Sequence, residues 1–146
     1  MSEFYRLTDT VWASPQITPA DVAEANAQGF TMLINNRPDE EEDDQPEGAD
    51  IAQAAEELGL DYVSIPVTHT GFSEPQIVAM VEALDKAQGK VLAFCRSGTR
   101  STLLWALAQA SRGEDPASLA ATAQAAGYNL SPIASMLDML SARARD

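Results

Sequence analysis

Cys95 is the only cysteine in the chain, and it stands in the stretch Phe94-Cys95-Arg96-Ser97-Gly98-Thr99-Arg100-Ser101. Val91-Leu92-Ala93-Phe94 before it reads as a buried strand, and the Leu-, Ala- and Trp-rich run from Ser101 to Ser111 after it reads as a helix. A thiol at that junction faces the N–H groups of a glycine-containing turn and the positive end of the following helix, both of which favour negative charge on sulfur. Arg96 and Arg100 add cations within the same turn. These residue types describe a nucleophile, Cys95, beside a cradle for an anion. Backbone N–H groups from Arg96 through Ser97, Gly98 and Thr99 to Arg100 form the cradle, and the Arg100 side chain positions the anion. Ser101 is placed to hydrogen-bond the thiolate. A free cysteine often only packs, but two arginines and a glycine so close to it argue against that reading.

The elements that must deliver this loop alternate between strand and helix. Tyr5–Leu7 and Val11–Ala13 read as short strands around a turn. Thr18 and Pro19 start a helix that runs toward Gln28 and stops at Gly29. Phe30–Asn35 is a strand, Ala49–Leu58 a helix ended by Gly59, and Leu60–Pro66 a strand. Ser73-Glu74-Pro75-Gln76 has the parts of a capping box and opens a helix to Gln88, after which Lys90–Phe94 is the strand before Cys95. Two more helices, Pro116–Ala126 and Ser131–Arg143, follow the Cys-loop helix. Trp105, Met136, Met139 and Leu140 read as core at helical spacing. The pattern predicts one α/β domain over residues 1–146, three-layered, with a mostly parallel sheet flanked by helices. Ligands of such sheets bind outside the carboxyl ends of the strands. Asn35–Pro38, Val67–Gly71 and the Cys95 loop should meet there.

Composition narrows the partners. Nine Lys and Arg against 22 Asp and Glu leave a net charge of −13, which disfavours nucleic acid and anionic membranes. The two arginines beside Cys95 are thus a local cationic spot on an acidic body. A single cysteine forms no internal disulfide, and Met1–Arg6 lacks the pattern of a signal peptide, so a reducing cytoplasmic setting is expected. The uncharged run 116–137 is broken by Gly127, Asn129 and Pro132 and does not read as a membrane span. No metal site or cofactor is expected.

Several stretches together resemble the phosphatase-like domain of the beta-lactamase hydrolase-like family, bacterial proteins related to cysteine-dependent dual-specificity phosphatases. They are Ser14–Ile17, Ile34–Asp39, Tyr62–Val67, Phe94–Ser101 and Gly127-Tyr128. The resemblance implies a cysteine-phosphatase-like fold and either of two reactions: phosphomonoester hydrolysis through a phosphocysteine, or sulfur transfer through a persulfide. The phosphatase signature has Cys, five residues, then Arg, usually with His before the Cys. Here Phe94 precedes Cys95 and four residues separate it from Arg100. That order is similar to the active loop of small rhodaneses. A phosphoryl group presents three oxygens to a ring of N–H donors, and a shorter loop suits a single sulfur atom. The upstream Asp that protonates the leaving oxygen in phosphatases is also missing, since Pro66–Gly71 holds no carboxylate. Sulfur transfer by Cys95 is therefore the preferred expectation, with a small anionic or sulfane-sulfur substrate and an external thiol acceptor. Phosphomonoester hydrolysis is the alternative, and an anion- or partner-binding module with little turnover is a third.

Three residues are accessory candidates. His69, the only histidine, could replace the missing acid or be an ordinary loop residue. Asp39 is a fallback acid. Arg37 either lines the site or ties its loop to the acidic run Asp39–Asp44 by an ion pair. The run itself reads as a solvated loop, or as a filter against polyanions.

Overall fold

The computed structural model describes residues 3–68 and 70–145. Five strands form one sheet in the order β1-β2-β5-β3-β4: β1 Tyr5–Arg6, β2 Val11–Ser14, β3 Phe30–Asn35, β4 Asp61–Ser64 and β5 Lys90–Phe94. Only the β1–β2 hairpin is antiparallel; β2, β5, β3 and β4 run parallel. The helices are α1 Pro19–Ala27, α2 Gly48–Leu58, α3 Glu74–Lys86, α4 Thr99–Ser111, α5 Pro116–Ala125 and α6 Ala134–Arg145.

Alternation along the central strands sorts the helices into two layers. Met32, Ile34, Val91 and Ala93 join a core with residues of α3 to α6. Leu33, Leu92 and Phe94 join a second core with Val22 and Ala25 of α1 and Ile51 and Ala55 of α2. Phe30 also lies in that second core although it is an odd step from Leu33. An irregularity in pairing between Phe30 and Met32 shifts the parity and puts both side chains on one face. α4 is buried on nearly every side, from Ser101 through Ala108. Its many alanines let it sit centrally among α3, α5, α6 and the sheet.

Local chemistry sets most boundaries. Thr18 and Asp21 bond reciprocally at the start of α1, and the Gln76 side chain accepts the Ser73 N–H at the start of α3. β4 ends at Ser64, short of the expected Pro66. Pairing nonetheless continues through the Ile65 and Val67 N–H groups to the carbonyls of Asn35 and Asn36, skipping Pro66, which has no N–H. The last helix starts later than expected because Ser131–Ile133, containing Pro132, forms a 3₁₀ turn. Trp105 and Leu140 are buried and Met136 packs against the same core, but Met139 is 55% exposed and is no core residue. No helix among the described residues is long and apolar enough to cross a membrane.

Candidate active site

Strand register sets the site. Ser14, Phe94, Asn35 and Ser64 pair across β2, β5, β3 and β4 as a single row at the carboxyl edge of the sheet. The chain leaves that row through Pro15-Gln16, Cys95-Arg96 and Asn36-Arg37. Backbone bonds join these exits: Asn36 N–H to the Phe94 carbonyl, Cys95 N–H to that of Ser14, and Gln16 N–H to that of Arg96.

Cys95 is fully buried. Its Sγ accepts the Gly98 N–H at 3.1 Å. Gly98 has φ of +93° and immediately precedes α4, which begins at Thr99. This left-handed residue turns the loop so tightly that its N–H faces back onto the sulfur. Of the remaining cradle residues, Thr99 turns its N–H to the Ser97 hydroxyl, which itself donates to the Thr99 hydroxyl. Ser101 is buried on α4 with an unpartnered hydroxyl, so it makes no bond to the Cys95 sulfur, contrary to expectation.

Arg100 points into a network that sequence reasoning missed. Its Nη1 donates to the Val67 carbonyl and to Glu41 Oε2, both at 2.7 Å, and its Nη2 to Glu41 Oε1 at 2.9 Å. Arg37 is buried, and it donates to Glu41 Oε1, Glu42 Oε1 and Gln16 Oε1. Arg96, more exposed, pairs with Glu42 at 2.9 Å. Glu41, Glu42, Arg96 and Arg100 line a cavity of about 430 Å³. The two-pronged bond from Arg100 and the second from Arg37 hold the Glu41 carboxyl down at about 2, against an opposing push from burial. Glu41 in turn keeps Arg100 firmly protonated, overcoming the guanidinium's own burial, and the nearby Cys95 contributes in the same sense.

The accessory candidates divide. Arg37 takes the ion-pair role, to Glu41 and Glu42 in the middle of the acidic run. Asp39 accepts the Gly48 N–H at 2.8 Å at the start of α2 and lines a separate cavity with Asn35, Pro38 and Tyr62. It bonds the start of α2, in a cavity apart from the one that Arg96 and Arg100 line. His69 lies outside the described residues. The acidic run is exposed throughout, but it is only partly a free loop, because arginines clasp Glu41 and Glu42. Arg37 with Glu four and five residues later was the available signal. Tyr128, on the turn before the 3₁₀ segment, donates to the Ser97 carbonyl at 3.3 Å. Burial, and secondarily the nearby Cys95, push its phenol up to about 12, so it remains a donor. Among the described residues no cluster of three or more His, Cys, Asp or Glu could hold a metal ion.

Residues 3–112 match the sequence profile of the beta-lactamase hydrolase-like protein, phosphatase-like domain. The chain belongs to that family. A beta-lactamase hydrolase-like protein of Agrobacterium fabrum is 39% identical over 104 residues, covering 71% of this chain and 24% of the relative. The chain thus spans about a quarter of the length of that curated relative. The crystal structure of a putative phosphatase from Neisseria meningitidis superposes with a TM-score of 0.82 at 35% identity, over 93% of this chain and 96% of that one. Tk-PTP in its active form has a TM-score of 0.76 at 17% identity, covering 96% and 97% of the two chains, which establishes a shared fold. The family's phosphatase-like α/β fold is therefore that of this chain, as expected.

Proposed function

We propose that the chain is a Cys95-dependent sulfurtransferase. The observation that carries this reading is that, among the described residues, no unpaired carboxylate lines the cavity at Arg96 and Arg100. The carboxylates lining the cavity with Arg96 and Arg100 are Glu41 and Glu42, both ion-paired, with Glu41 held ionised down to about pH 2. Hydrolysis of a phosphomonoester gains from a proton donor at the leaving oxygen. Attack on a sulfane sulfur does not, because sulfite or a thiolate leaves unprotonated.

The reaction runs in two displacements. The Cys95 thiolate attacks the outer sulfur of a donor such as thiosulfate or glutathione persulfide; a Cys95 S–S bond forms, and the donor S–S bond breaks with its electron pair leaving on sulfite or glutathione. An acceptor thiolate or cyanide then takes the terminal sulfur, and Cys95 leaves as thiolate. The Gly98 N–H, 3.1 Å from Sγ, is positioned to steady charge on sulfur in both steps. Arg100 steadies the donor once its carboxylate partner yields.

Phosphomonoester hydrolysis through a phosphocysteine is the second reading. The names carried by the family and by the Neisseria structure favour it and give sulfur transfer no support. Side-by-side assays on one preparation decide between them: glutathione persulfide or thiosulfate with an acceptor, against an aryl phosphate. Sulfur transfer should exceed phosphatase turnover, and Cys95→Ser should abolish it. Cys95-dependent phosphatase turnover without sulfur loading of Cys95 would reverse the assignment.

A further inference from the structure

The face of the Arg100 guanidinium that would hold a substrate anion is already filled by the chain itself. Glu41 meets the Arg100 guanidinium with both oxygens, the geometry an external carboxylate, sulfate or phosphate would adopt. Glu42 bridges Arg37 and Arg96 through a single oxygen, Oε1. Three guanidinium groups and two carboxylates leave this cluster a single net positive charge. A dianion entering it must displace at least the Glu41 carboxylate from Arg100. Arg100 does not depend on Glu41 for its direction, because it also donates to the Val67 carbonyl at 2.7 Å. Glu41 sits in the segment 38–47 between β3 and α2, where Glu40 takes a left-handed φ of +63°. That backbone turn directs the next two side chains into the arginines, two of which, Arg96 and Arg100, belong to the loop that carries the buried Cys95.

We propose that Glu41 is a specificity-determining residue: its carboxylate occupies the Arg100 anion position and excludes inorganic oxyanions from Cys95. Sulfate, phosphate and thiosulfate are thereby disfavoured relative to donors that present a sulfane sulfur on an organic carrier, such as a low-molecular-weight persulfide. The inference rests on the reading of Cys95 and Arg100 as nucleophile and anion anchor, and it names the donor class for the sulfur transfer proposed above.

The test reads binding and not turnover. Alkylation of Cys95 by uncharged iodoacetamide is timed by mass spectrometry in increasing sodium sulfate, at constant ionic strength. Wild type should alkylate slowly and be little affected by sulfate. Glu41→Ala should alkylate faster and be protected at a sulfate concentration lower by about tenfold, the effect of one recovered charge-assisted contact. Adding Arg100→Ala should abolish that protection. If Glu41→Ala does not fold, the uncharged and similarly sized Glu41→Gln carries the same expectation. Unchanged protection overturns the proposal. So does weaker protection, which would mean that Glu41 orients Arg100 for an incoming anion. Sulfate protection unmasked in a protein that never loads sulfur would sustain the exclusion role while refuting sulfur transfer.

Discussion

Tyr128 lies against Gly98 so closely that a β-carbon on Gly98 would run into the phenol, and it would also come within 3.3 Å of the Ser14 carbonyl. The turn between α5 and α6 thereby braces the loop that carries the nucleophile: the same hydroxyl donates to the Ser97 carbonyl. Gly98 is confined twice over, by φ of +93° and by this contact.

Gly98→Ala should therefore lower stability by about 1–3 kcal/mol, through the left-handed backbone and the displaced phenol. Thermal unfolding would show a fall of roughly 3–10 °C. Combining Gly98→Ala with Tyr128→Phe should recover only part of that loss, since the backbone strain remains. Full recovery in the double variant would locate the whole cost in the hydroxyl contact.

Glu41 sets an acid-side dependence. Its carboxyl falls from an ordinary 4.5 to about 2 through Arg100 and then Arg37. A depressed carboxyl contributes stability that is fully present above the unfolded value and is lost as pH falls through the folded value. The contribution should hold above about pH 5 and fade between there and pH 2, and because Glu41 is partly exposed it should be about 1 kcal/mol. Melting temperatures of wild type and Glu41→Gln should differ at pH 7 and converge toward pH 2–3. A constant gap across that range would show that the charge is not what stabilises.

The strand-helix alternation and the Cys95 loop were legible in the sequence because both are local: apolar runs, glycine stops, capping residues, and a cysteine flanked by arginines. The rest depended on side chains meeting across the carboxyl edge of the sheet. Glu41 and Arg100 are far apart in sequence and become partners only because β3 and β5 are neighbours. Periodicity gave no way to separate two clasped glutamates from the exposed acidic residues around them. Asp39 looked like an acid at a strand end, but a backbone N–H of α2 claimed it. α4 begins two residues earlier than the sequence suggested, so Ser101 lies inside its first turn, with its hydroxyl buried and without a partner.

Cys95 has no second cysteine to resolve an intermediate. Exposure to glutathione persulfide should add one sulfur to Cys95, stable until an external thiol or cyanide is supplied and then removed stoichiometrically. Intact-mass spectrometry before and after acceptor addition checks this. An adduct that disappears without acceptor, or one that persists in Cys95→Ser, would contradict it.

Arg100 should not tolerate replacement by lysine. The guanidinium makes three bonds from two nitrogens, to Val67 and to both oxygens of Glu41. A lysine ammonium keeps the charge but loses the planar fork, and it cannot hold the Val67 carbonyl and a two-pronged anion in one plane. If Arg100 acts by geometry, Arg100→Lys should lose nearly as much kcat/KM in the Cys95-dependent reaction as Arg100→Ala, roughly 100-fold or about 3 kcal/mol. If charge alone matters, lysine should recover most of the activity. Glu41→Gln separates the two cases further. It frees the fork without moving it, so it should raise activity toward thiosulfate in the Arg100 background and leave Arg100→Lys unimproved. Steady-state kinetics on the four combinations, with thiosulfate and glutathione persulfide as donors, would show the coupling as a departure from additivity.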